Sequence, residues 1–229
     1  MLRKFSRHWK AIILLLVGGL VLASCSPPPP LRSDKYLNDT SLITGKPCDI
    51  PCYQNITVGK TTFADAVSIV KSNAAFKDVQ NRDATSDQPA AAVWSSASSG
   101  EQCCQMISDS KGLVESITLR LAPNMTIGQV IEKLGEPQYT FSTEYTDEEA
   151  VIQLLYPEKG IVLLVVPGDA NSSLEAGDPA VAVIYLDPVR FKDLIKEATL
   201  QGWAGYQTFK VYKDATPIVT AVPSATPAP

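Results

Sequence analysis

The chain has 229 residues, 45% of them hydrophobic and 19% charged, with 20 basic and 24 acidic side chains for a formal charge of −4. The balance is acidic and no basic cluster stands out beyond the first ten residues, so nucleic acid is not an expected partner. The single histidine, His8, lies within the first ten residues.

Residues 1–24 have the three parts of an export signal. Arg3, Lys4, Arg7 and Lys10 form a positive start, Ala11 to Ala23 an apolar run, and small residues the end. The run is about 13 residues, too short to cross a bilayer core of roughly 30 Å as a helix. The tetrapeptide Leu22-Ala23-Ser24-Cys25 resembles the lipobox of bacterial lipoproteins. That resemblance implies cleavage before Cys25, a diacylglycerol on its thiol and further acylation of its freed amine, giving enough lipid for stable anchoring. An ordinary cleaved signal with a chance cysteine, or a signal anchor, is the competing reading. The expected partner is the membrane, through lipid on Cys25, at the outer face of the cytoplasmic membrane. Ser26 is not the aspartate that retains such proteins there, so an outer membrane is open where the organism has one.

Loss of the signal removes four basic residues and leaves 16 against 24 acidic ones, a formal charge of −8. His8 is lost with it, so the mature chain has no Ser-His-Asp or Cys-His pair and no imidazole metal ligand. No cofactor or metal is expected. Ser26 to Pro30 reads SPPPP, an extended polyproline spacer, and residues 25–47 are expected to form a tether. Beyond it lie about 165 residues, enough for one domain of two small layers or two tightly joined halves.

Four cysteines follow Cys25: Cys48, Cys52, Cys103 and Cys104. In an exported chain an even number reads as disulfides. Two links between the 48/52 segment and the 103/104 segment are expected, because a bond between adjacent cysteines is strained. Neighbours on a strand point to opposite faces, so the second link needs a bulge or an edge position. A four-cysteine zinc site or a redox pair is the alternative, although Cys48 and Cys52 have three residues between them rather than two.

The apolar residues Phe63, Ala66, Val67 and Val70 fall at i, i+3, i+4 and i+7 after the capping residue Thr62. Ile127, Val130, Ile131 and Leu134 repeat that spacing after Thr126, with Gly135 and Pro137 at the end. Both segments predict amphipathic helices with one apolar stripe. Strands are expected over Ala91 to Ser95, Gln102 to Ser108 and Leu113 to Leu121 after the first helix. Gln138 to Tyr145, Val151 to Tyr156, Gly160 to Val166 and Ala180 to Leu186 follow the second. Short turns such as Pro157 to Gly160 imply antiparallel pairing. Consecutive apolar residues at Val162 to Val166 and Val181 to Ile184 require cover on both faces of those strands. A last helix is expected from Val189 to Thr199, burying Phe191, Leu194 and Ile195.

The expected fold is therefore α+β: two repeated units of helix plus antiparallel β-sheet, 48–123 and 124–213, the second carrying the C-terminal helix. Residues 214–229, rich in Thr, Pro and Ala, are expected to be a disordered tail. Asn124, Met125, Thr126, Val130, Leu134-Gly135 and Pro137 resemble the short signature of small lipoproteins that assist outer-membrane β-barrel assembly. The two-fold repetition resembles the secreted β-lactamase inhibitory proteins, tandem copies of that unit. In the first unit Gly59 and Thr61-Thr62 are kept, but Ser72-Asn73 stand where the closing glycine and proline belong. The resemblance implies the fold of residues 54–187 and, by analogy, a binder or scaffold rather than an enzyme.

Three clusters are candidate sites. Glu144, Asp147, Glu148 and Glu149 offer a carboxylate pair or a solvated hairpin tip. Asp169, Asn171, Ser173, Glu175 and Asp178 have alternating oxygen ligands, but Leu174 and Ala180 replace the turn glycine and final glutamate of a calcium loop. Trp203, Tyr206, Phe209 and Tyr212 form either an aromatic patch for a partner or glycan, or cover for a sheet edge. Sequons at Asn38, Asn55, Asn124 and Asn171 are chance beside a bacterial export address. The expected role is a lipid-anchored, non-catalytic binding or scaffold protein of the bacterial cell envelope, with an envelope protein as partner. The alternative is a carboxylate-dependent hydrolase acting on envelope glycans.

Overall fold

Nine strands hydrogen-bond into one antiparallel sheet in the computed structural model, which describes residues 30–146 and 149–218. A short helix α1 (Ser41–Thr44) and a hairpin, β1 (Cys52–Tyr53) and β2 (Ile56–Thr57), come first. Helix α2 (Phe63–Ser72) then leads into β3 (Phe76–Arg82), β4 (Ala91–Ser96), β5 (Gln102–Ser108) and β6 (Val114–Arg120). Helix α3 (Ile127–Leu134) leads into β7 (Tyr139–Glu144), β8 (Ala150–Tyr156), β9 (Ile161–Gly168) and β10 (Ala180–Leu186). Helix α4 (Pro188–Lys196), β11 (Gln201–Gly202) and α5 (Phe209–Asp214) complete the described chain. The strand order is β11-β7-β8-β9-β10-β6-β5-β4-β3, so two meanders are joined through β10 and β6, with Tyr185 opposite Ile117 at the seam. The architecture is α+β, and the described residues from Arg32 onward form one compact unit.

The two long helices form where the apolar spacing predicts them. In α2 the stripe Phe63, Ala66, Val67 and Val70 is buried, and the Thr62 side chain accepts from Asp65 N–H. The Asp65 carboxylate takes the Thr62 hydroxyl at 2.7 Å instead of reaching back to the backbone. Gln129, one methylene longer, does reach back and accepts from Thr126 N–H at 3.0 Å, completing a capping box on α3.

Both stripes enter one large buried cluster with Trp94, Met106, Ile117, Leu119, Leu154, Leu163 and Tyr185 from the inner face of the sheet. On the outer face of the second meander, Leu155 and Val162 form a separate cluster with Phe191 of α4 and Leu200. That second cover explains why β8 and β9 are apolar at successive positions. The first meander alternates instead. Ala92, Trp94, Cys104, Met106, Ile117 and Leu119 are buried, while Val93, Gln105, Ile107, Ser116 and Thr118 between them are partly or fully exposed. Its outermost strand, β3, has a register shift between Lys77 and Gln80, with Asp78 at φ +54°.

The cysteine pairing differs from expectation. Cys48 bonds Cys52 and Cys103 bonds Cys104, each within its own segment. Trp94 lies opposite Cys104 and Ser95 opposite Gln102, which leaves Cys103 as an extra residue in β5. This bulge releases Cys103 from strict alternation, so both cysteines are buried and the adjacent pair can close. The bonded pairs leave no thiolate among these four residues for a zinc site.

Part of the segment expected to be a tether is instead packed into the fold, well before residue 47. Leu37 forms a parallel bridge with Leu121, Tyr36 lies 4.2 Å beneath the Arg120 guanidinium, and Leu42 of α1 enters the main core. At the other end, α5 buries Phe209 and Tyr212, and Ile218 N–H donates to Leu200 C=O at 2.9 Å, so the chain stays ordered past residue 214. Residues 1–29, with the expected signal and Cys25, and residues 219–229 of the expected tail lie outside the described residues. Among the described residues no helix is long and apolar enough to cross a membrane.

Tyr53, Tyr156, Tyr185 and Tyr212 are buried, and burial raises the pKa of each phenol, Tyr212 to about 12. In the unfolded chain a phenol ionises near pH ~10. A raised folded value means that the stability these groups contribute is intact below that pH and is lost as pH rises through the folded values. Alkaline titration followed by tyrosinate absorbance and circular dichroism is therefore expected to show these four ionising together with loss of secondary structure. Ionisation with full retention of secondary structure would contradict their burial.

Candidate functional site

Two surfaces stand out, and both are made by strand register. The first is the outer face of the first meander. Gln80, Val93, Gln105 and Thr118 form one cross-strand row, and Arg82, Ala91, Ile107 and Ser116 form the next. Side chains at paired positions share a face, so these eight make a mixed plane of uncharged polar, small apolar and basic groups. A depression of about 260 Å³ lies at its margin against Gln80, Arg82, Ala91 and Val93.

The second surface is the end of the sheet at β11, β7 and β8. Gly202 pairs with Tyr139, and Tyr139 with Leu155. Just before β7, Gln138 N–H donates to Leu155 C=O at 3.0 Å, and just after β11, Trp203 packs on the same core cluster that contains Tyr156. Trp203 stacks on Tyr212 at 6.0 Å and meets Tyr206 edge to face at 5.8 Å. The Tyr212 hydroxyl donates to Gly205 C=O, which ties α5 to the loop bearing these rings. Tyr206 is 42% exposed.

Tyr156 is only 4% exposed, and its hydroxyl has no hydrogen-bond partner. Burial raises its pKa, and the charges of Tyr206 and Glu136 add to the shift. The Gln201 side-chain oxygen on β11 and the Ser142 hydroxyl on β7 are also buried without partners. Beside Tyr156 lies a cavity of about 150 Å³ walled by Glu136, Gln138, Pro157, Glu158 and Lys159. The sequence pointed to Trp203 and Tyr206 but gave no sign of Gln138 or Tyr156, which lie in distant segments of the chain. Of the four aromatics read together, Phe209 and Tyr212 belong to the core and Trp203 and Tyr206 to this surface.

The remaining candidates are drawn into local structure. Glu144 forms an ion pair with Lys213 at 2.8 Å, both side chains about half exposed. It is the only carboxylate among the described residues lining the adjacent cavity, which Tyr145, Thr146 and Ala170 complete. Asp147 and Glu148 lie outside the described residues. Asp169 accepts from Asn171 N–H at 2.9 Å and from the N–H and hydroxyl of Ser172 at 3.0 Å, and these bonds hold its carboxyl below the usual range. Asp178 accepts from Glu175 N–H at 2.8 Å, and Ser173 bridges to Thr208. The Asp169 and Asp178 carboxylates, two of the five candidate calcium ligands, are thus used to close turns. Among the described residues no group of three acidic, histidine or cysteine side chains is placed to hold a metal.

No protein-family model matches the sequence, and no curated protein matches it. Among solved structures, a DUF4309 family protein (YjgB) from Bacillus subtilis subsp. subtilis str. 168 is similar over 64% of this chain and 91% of that one, at 13% identity and a TM-score of 0.33. At that level neither detailed topology nor role carries over.

Proposed function

We propose that this chain is a lipid-anchored, non-catalytic binding or scaffold protein of the bacterial cell envelope, held by lipid on Cys25. The observation that carries the reading is the uncovered outer face of β3 to β6. The same side of the second meander is closed by α4, whereas eight side chains of the first stand open in two cross-strand rows. A flat plane of this kind suits a protein partner better than a small substrate, which calls for a concave site. The succession of capped helix and four-strand meander supports descent of the two halves from one duplicated unit.

The test is site-specific photocrosslinking in cells. A photoreactive residue at position 105 or 118 is expected to capture the same envelope protein, and capture is expected to fall sharply in the Cys25→Ala form. The same residue at position 192, on the exposed side of α4, is expected to capture nothing specific. Equal capture from all three positions, or none from 105 and 118, would overturn the proposal.

A further inference from the structure

The end of the sheet at β11, β7 and β8 lies on the second meander, apart from the open face of the first, and carries a different chemistry. Its elements are a solvent-facing aromatic ring on Tyr206, a second ring at Trp203 fixed by stacking on Tyr212, and a small cavity whose wall includes Tyr156. We propose that this surface is a binding site for a neutral saccharide, with one sugar ring lying against Tyr206 and Trp203 and its hydroxyl or amide groups reaching Gln138 and Glu136.

Three features select that ligand class. Aromatic rings at a partly wet edge offer a flat apolar face to the C–H side of a sugar while leaving its hydroxyls to polar neighbours. The polar neighbours are of the right kinds. Gln138 Nε2 already donates to the Tyr139 hydroxyl at 2.9 Å, which leaves its carbonyl oxygen to accept from a sugar hydroxyl. The walls finally carry Glu136 and Glu158 against Lys159, so they offer no concentrated positive charge for an anion. A cavity of about 150 Å³ suits a single ring or an N-acetyl group, with the rest of a chain running over the exposed Tyr206. This site does not depend on the protein partner proposed above.

The test is calorimetric titration of the full chain in detergent solution with chitotriose and, separately, with cellotriose. Saturable binding of at least one is expected, with a Kd of about 0.1 to 10 mM, as befits a shallow site of few contacts. A preference for chitotriose assigns the cavity to the N-acetyl group, and equal binding assigns it to a ring hydroxyl. Tyr206→Ala, an exposed substitution that leaves the core intact, is expected to weaken binding about tenfold, and Gln138→Ala about three- to tenfold. Gln105→Glu, on the open face of the first meander, is expected to leave sugar binding unchanged while disturbing partner capture, which separates the two proposals. No saturable binding of either sugar up to about 50 mM, or binding unaltered by Tyr206→Ala, would overturn the inference.

Discussion

Gly160→Ala is expected to lower the free energy of unfolding by about 2–5 kcal/mol, combining a left-handed backbone forced on a residue with a side chain and a steric displacement. Gly160 closes the turn between β8 and β9 at φ +66°, and a Cβ there would stand 2.2 Å from the Leu186 carbonyl oxygen and 3.2 Å from Pro188 Cγ. Leu186 cannot move away freely, because its N–H donates to Gly160 C=O at 2.8 Å and its strand is paired on both sides. Gly112 is the control. It has φ +79° but nothing within 4 Å of an added Cβ, so Gly112→Ala should cost only about 1 kcal/mol, the conformational part alone. Chemical denaturation of both variants reads the difference, and equal losses would show that the close approach at Gly160 does not exist. Because Pro157 to Lys159 form one wall of the proposed sugar cavity, Gly160→Ala should weaken saccharide binding as well.

Trp94→Ala is expected to cost about 3–5 kcal/mol, the range for emptying a large aromatic site in a core. Trp94 is 0% exposed, meets Phe76 edge to face at 5.9 Å and lies opposite Cys104 in the neighbouring strand. Its Nε1–H is buried without a partner. Trp94→Phe therefore loses ring area but also removes an unsatisfied donor whose burial costs about 1–3 kcal/mol. The phenylalanine variant should accordingly be destabilised much less than the alanine variant, by about 1–2 kcal/mol. Thermal or denaturant unfolding of the pair checks this ranking, and similar losses for both would mean that the indole N–H is satisfied in solution.

What the sequence disclosed and what it withheld divide along physical lines. Helices α2 and α3 were legible because a buried stripe imposes its spacing on the residues themselves, and the central strands of the second meander because cover on both faces demands consecutive apolar side chains. Strand β3 was not legible: FKDVQNR is an edge strand with one buried residue, and its polar composition reads as a loop. Helix α5 is six residues long, too short for periodicity to show, and the packed segment around Tyr36, Leu37 and Leu42 holds its place through isolated side chains beside a proline run. The cysteine pairing failed for a similar reason. A bulge inserts one residue into a ladder, and nothing in QCCQ marks which residue is extra until the partner strand is known. Trp203, Gln138 and Tyr156 come from three separate segments, and nothing in any one of them marks the other two.

The irregular β3 strand bears on how such molecules live side by side. If lipid holds the chain at a membrane, as proposed, its copies share one orientation and meet at a far higher effective concentration than in solution. Nine-stranded sheets so arrayed would zip into ribbons if their margins were straight and bare. At one margin Asp78 breaks the ladder between Lys77 and Gln80, and Lys77 and Arg82 add charge beside the break. At the other, the returning chain at Ile218 occupies the backbone beyond β11. Both margins are thereby blunted against lateral polymerisation, so crowding on a surface can raise local density without turning a field of separate molecules into a fibre.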